Sequence, residues 1–174
     1  MKAMQSKVAL FAVTFLLVAV CAKAQTHPPV KPDPNFDKMK TLAGDWEGTM
    51  DEGGKSYPAH AVVTVIADGS VVMHQLDPGG KYNMVTMIHQ DGHDLLATHY
   101  CAAHNQPRMK LTPSDDPATL LFVFMDGTNI GPGDSHMQSV KFVFVDADHH
   151  YEDWSSIDNG KVTTGRFDFH RKKA

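Results

Sequence analysis

Cysteine is almost missing from this 174-residue chain, which has only Cys21 and Cys101. If the first departs with an N-terminal leader, Cys101 stands alone, no intramolecular disulfide can form, and stability has to come from packing. Long apolar runs are scarce too. The single one, "VALFAVTFLLVAV" at residues 8–20, is too short for a membrane-spanning helix. With Lys2 and Lys7 before it and Ala22-Lys23-Ala24 after it, the run reads as a secretory signal peptide over residues 1–24. The mature product is then expected to be exported, periplasmic or secreted, with no membrane span. Lipidation at Cys21 is the alternative, although Val20 occupies the place where a lipobox wants a small residue. Residues 25–174 are also poor in positive charge, with 13 basic against 20 acidic side chains, a net charge near −7. An acidic surface argues against nucleic acid as a partner. Common enzyme signatures are absent: there is no GxSxG elbow, HExxH, GxxxxGK, CxxC pair or GxGxxG. No catalysis is expected on that ground.

What the chain does contain is turn chemistry. Residues 25–35 are a proline-rich tether, and "FDKMKTL" (36–42) has room for two helical turns capped by Asn35. The single domain, residues 36–174, then runs as strands near 45–50, 57–67, 70–76, 82–90, 93–101, 107–112, 118–125, 137–146, 149–157 and 161–170. Asp68-Gly69, Asp91-Gly92 and Asn159-Gly160 suit two-residue hairpin turns. About ten short antiparallel strands at this spacing mean an all-β sandwich or an up-and-down barrel.

The turns also imply register. With Asn159 and Gly160 as loop residues, Trp154 faces Gly165, Glu152 faces Phe167 and His150 faces Phe169. This apolar face is the expected interior, with Gly165 making room for the indole, while Asp153 and Arg166 pair on the outside. For the Asp91-Gly92 hairpin the same logic sets Met84 opposite His99 and Tyr82 opposite Cys101. Both of its faces are nearly equally apolar, and the His99 face is the one expected to point inward. Leu120, Phe122, Phe124, Val140, Phe142 and Phe144 alternate with polar neighbours and read as further interior residues.

At "LAGDWEG" (42–48) a short helix meets Gly-x-Trp at the start of the first strand. This resembles the lipocalin-like, or calycin, superfamily, and the mature chain as a whole is similar to a family of secreted bacterial lipocalin-like proteins without an assigned activity. The resemblance implies a single antiparallel up-and-down barrel of about ten strands holding a small apolar or amphipathic molecule. It also implies that Gly44 and Trp46 close one end beneath a basic residue, Arg171 or Arg166. A related branch, the nitrobindins, begins similarly and holds haem through a histidine near the C terminus. Here the only last-strand histidine, His170, has outward register, which disfavours haem.

Several residues carry candidate chemistry. "THYCAAHNQPRM" (98–109) contains H-x-C-x-x-H, so His99, Cys101 and His104 form a candidate transition-metal set; the alternative is a polar corner of the barrel with Cys101 as a buried small hydrophobe. Arg108 is either a partner for a ligand carboxylate or phosphate, or a surface arginine. His150 and Glu152 are either a general acid/base pair or an internal hydrogen-bonded pair, since an unpaired carboxylate on an apolar face is costly. "DGTNIGPGDSHM" (126–137) is a candidate lid, with His136 at its end. The expected ligand contacts are Met84, Phe142, Trp154 and Phe167 as walls, with His99, Arg108 and Glu152 as polar groups.

Overall fold

The structure, a computed structural model, describes residues 31–173. The signal peptide, the possible lipidation at Cys21 and most of the tether lie outside the described residues. A helix α1 (Pro34–Lys40) precedes ten strands: β1 (Gly44–Glu52), β2 (Lys55–Ile66), β3 (Val71–Leu76), β4 (Met84–Asp91), β5 (Asp94–Tyr100), β6 (Gln106–Thr112), β7 (Thr119–Thr128), β8 (His136–Asp146), β9 (His149–Asp158) and β10 (Lys161–Arg171). Each strand pairs with its sequence neighbours, and β1 pairs with β10, closing an antiparallel barrel. All ten strands expected from the sequence are present. The helix starts earlier than expected, within the tether, because Asp33 rather than Asn35 caps it: the Asp33 carboxylate accepts from the Asn35 amide, and Pro34 takes the first turn, where a missing N–H costs nothing.

The Asn159-Gly160 hairpin has the expected register, with Trp154, Glu152 and His150 opposite Gly165, Phe167 and Phe169. Asp153 and Arg166 pair outside it through two hydrogen bonds, of 2.6 and 2.9 Å. The other two hairpins differ. Asp91 pairs with Asp94, so Gly92 and His93 form the loop and Thr86, not Met84, stands opposite His99. The shift is two residues, an even number, so the faces are unchanged and His99 is fully buried as expected. Between β2 and β3 the loop takes four residues, 67–70, with Ala67, Asp68 and Gly69 all at positive φ. Gly165 also has a different neighbour from the one expected: a side chain there would first meet Met50 of β1, at 3.6 Å, rather than the indole.

The two barrel ends differ in construction. At one, Phe36 and Met39 of α1 join Leu42 and Trp46 in the core. The Trp46 indole donates to the Leu42 carbonyl at 2.7 Å, and Arg171 covers its ring with the guanidinium 4.2 Å from the centroid. Arg171 also donates to the carbonyls of Ala43 and Thr41, so Arg171 and not Arg166 is the closing basic residue. Gly44 permits this: its φ is +144°, and a Cβ there would lie 2.5 Å from the Arg171 Nη1. The opposite end, formed by the 53–54, 77–83, 101–105, 129–135 and 159–160 connections, has no helix over it among the described residues.

Candidate functional site

Strand alternation sends four ionisable side chains into the lumen: His74 from β3, His99 from β5, and His150 and Glu152 from β9, each at most 1% exposed. Glu152 organises three of its neighbours. Its Oε1 meets Nε2 of His74 at 2.8 Å and Nε2 of His150 at 2.9 Å, and its Oε2 accepts from the Trp154 indole at 2.8 Å. Burial alone would push this carboxyl up. The charge of His74, with the hydrogen bonds from His150 and His74, outweighs burial and holds it well below the ordinary carboxylate range. The internal hydrogen-bonded arrangement is therefore the one present, with His74 as a third member that sequence reasoning missed. "VVMHQL" carried the signal, because alternation puts His74 on one face with the buried Val72 and Leu76.

His99 stands apart from this network. Its Nδ1 lies 2.8 Å from the Thr86 hydroxyl, its ring packs 4.9 Å from that of Trp154, and its Nε2 has no partner among the described residues. Burial, helped by the nearby charge of His74, pushes it down to about 4, so it is neutral at pH 7.

Next to His99 a cavity of about 150 Å³ opens at the helix-free end. Its walls include Met50, Leu76, Met84, Met137, Trp154 and Phe167, with Gly165 and Ser156 on one side and Glu52 at the rim. A wider mouth of about 580 Å³ shares Met50, Glu52, Leu76, Met84 and Phe167 with it and adds Tyr57, Tyr82 and Asp77. Among the described residues, no lysine or arginine lines either space.

Of the expected ligand contacts, the structure brings Met84, His99, Trp154 and Phe167 together around this cavity. Phe142 is fully buried in the core, and Glu152 is committed to His74, His150 and Trp154; neither lines the cavity. Arg108 lies on the outer wall, where it forms a two-bond pair with Asp126. The inward side chains of β6 are its neighbours Pro107 and Met109, which is why strand alternation turns Arg108 out.

The three expected metal donors do not converge. β5 ends at Tyr100, and Cys101 to Asn105 form a tight turn in which the Cys101 amide donates to the Asn105 carbonyl and the His104 amide to the Cys101 carbonyl. His104 takes a left-handed φ of 64° and is exposed, whereas His99 is enclosed. The expected lid is also shorter, since β7 continues to Thr128 and β8 begins at His136. The connection is held to the 101–105 turn by Asn105 donating to the Ser135 carbonyl and Asn129 to the His104 carbonyl. His136 packs on Phe124, ring centroids 4.4 Å apart. His170 is exposed on the outer wall, as its register implied.

No protein-family model and no curated protein matches the chain. Solved structures do. Rv2717c from M. tuberculosis superposes with a TM-score of 0.56 at 13% identity, over 82% of this chain and all of that one. A protein of unknown function from the DUF3598 family of Nostoc punctiforme gives a TM-score of 0.54 at 13% identity, over 76% of this chain and 48% of that one. At such identity the likeness is one of fold.

Proposed function

We propose that this barrel is a non-catalytic binding protein for a small, uncharged, largely apolar molecule taken up at its helix-free end, and that the chain is exported. The observation that carries the reading is the cavity bounded by Met50, Leu76, Met84, Met137, Trp154 and Phe167 beside His99, a buried polar side chain whose Nε2 has no partner among the described residues. Mostly apolar walls with few polar groups are the mark of a small-molecule site. The inner space is below the usual volume range for a drug-sized ligand, so the occupant extends from the neck into the mouth.

Charge narrows the ligand class. Neutral His99 offers one hydrogen bond and no countercharge, and the acidic groups at the rim are Glu52 and Asp77. A carboxylate or phosphate would find no lysine or arginine among the lining residues, whereas an alcohol, a ketone or an ester would find His99. Against catalysis stands the isolation of Glu152, whose oxygens are taken by His74, His150 and Trp154 and which does not line the cavity.

The test is native mass spectrometry of the protein recovered from the exported fraction of its host, compared with its denatured mass. A retained organic adduct of a few hundred daltons, displaced by N-phenyl-1-naphthylamine, is the expected result. A protein that keeps no adduct and gives no fluorescence enhancement with that probe would overturn the proposal.

A further inference from the structure

On the outer wall at the helix-covered end, β9 and β10 bring together side chains that the cavity does not use. His149 and His170 are directly opposed partners in the ladder, and their rings stack 4.2 Å apart with planes 17° from parallel. Asp168 lies two residues before His170, hence on the same face. Its Oδ1 is 2.9 Å from the His149 Nε2 and 3.5 Å from the His170 Nε2. Each of the three offers a ligand atom within 4.8 Å of the other two, and this is the one group of three such residues among the described residues.

We propose that His149, Asp168 and His170 form a surface binding site for a divalent late transition-metal ion, with Zn²⁺ or Cu²⁺ the fitting class. Nitrogen and oxygen donors at about 2.0–2.2 Å from a tetrahedral ion are separated by roughly 3.3–3.6 Å. The Asp168–His170 contact already lies in that range, and the shorter Asp168–His149 hydrogen bond has to open by a few tenths of an ångström to admit the ion. Two imidazoles select late transition ions over Mg²⁺ or Ca²⁺, which prefer all-oxygen shells. Nearby cations are already engaged: Arg166 with Asp153, and Lys172 with Glu47 on β1. Three protein donors leave at least one coordination position open, which suits reversible capture or delivery of the ion.

Isothermal titration of the chain with zinc chloride tests this, alongside His170→Gln, Asp168→Asn and His60→Gln. His60 is the control, since it lies on the neighbouring outer wall and pairs with Asp45. One equivalent of Zn²⁺ is expected to bind, weakened about tenfold or more by either of the first two changes and unaffected by His60→Gln. Electron paramagnetic resonance of the Cu²⁺ form should show coupling to two imidazole nitrogens, reduced to one in His170→Gln, a readout that a loss of stability would not imitate. The proposal fails if His170→Gln and His60→Gln titrate alike, or if the unaltered chain takes up no ion. His170 is exposed and Asp168 and His60 are half-buried on the outer wall, and an unchanged circular dichroism spectrum establishes that all three variants fold.

Discussion

Glu152 and His74 meet across the barrel lumen, Oε1 to Nε2 at 2.8 Å, from strands four places apart around the ring. No local turn explains the contact. It depends on the whole ring closing to the right circumference, so the pair works as a gauge of correct assembly.

Glu152→Gln places an amide where one oxygen now serves two imidazoles. Leaving one partner of a buried charged group unmatched costs about 3–5 kcal/mol, and urea unfolding at pH 7 should show a loss of that order. Because the folded carboxyl is held below its unfolded value, its contribution is complete above about pH 4.3 and disappears as pH falls further.

His99 adds a second acid-side loss in a different window. Its folded pKa is depressed from 6.5 to about 4, so the unfolded chain binds the extra proton first. Stability should fall as pH drops from 6.5 to 4, by about 3 kcal/mol in total. The difference between unaltered protein and His99→Gln, measured by denaturant unfolding at several pH values, isolates this slope; equal slopes would show that His99 is not buried and neutral.

Gly165→Leu projects a side chain beside Met50 and into the neck of the cavity. It should weaken N-phenyl-1-naphthylamine binding about tenfold or more, as expected when a well-formed pocket is filled. Dodecanol should displace the probe at lower concentration than dodecanoate, following from the absence of lysine and arginine along the walls.

Gly44→Ala and Arg108→Ala make a contrasting pair. The first forces a Cβ to within 2.5 Å of the Arg171 guanidinium at a φ of +144°, and should lower stability by about 2 kcal/mol or more on thermal unfolding. The second removes only an exposed pair with Asp126, and should change neither the melting temperature nor probe binding.

The fold was legible wherever local chemistry decides it. Asn159-Gly160 specified its hairpin to the residue, and alternation in β7 and β8 identified the inward Phe122, Val140 and Phe142. Asp91-Gly92 looked equivalent, yet the turn slid by one position, because Gly92 takes the first loop place at a φ of 61° with His93 second, a Gly-X turn instead of an Asp-Gly one. The site was half legible. Met84, His99, Trp154 and Phe167 follow from strand faces, but Met50 joins them only through closure of β1 on β10, and Leu76 through its place opposite Met84 in the β3–β4 ladder. H-x-C-x-x-H misled for a similar reason: spacing places donors along a chain, and the left-handed turn at His104 separates them in space. The opposed His149 and His170 are 21 positions apart and carry no motif at all.

The pairing of β1 with β10 has a consequence for how the chain acquires its structure. Residues 44–52 find their final neighbours only in 161–171, so the ring cannot close until nearly the whole polypeptide is available. Bringing together segments so distant is entropically slow, and until it happens β1 and the free edge of the β9–β10 hairpin each present an unpaired row of backbone donors and acceptors. A chain cut short within its last dozen residues would keep those rows exposed permanently. Its characteristic fate would be edge-to-edge association with other copies, a hazard that the finished ring, having no edge, does not share.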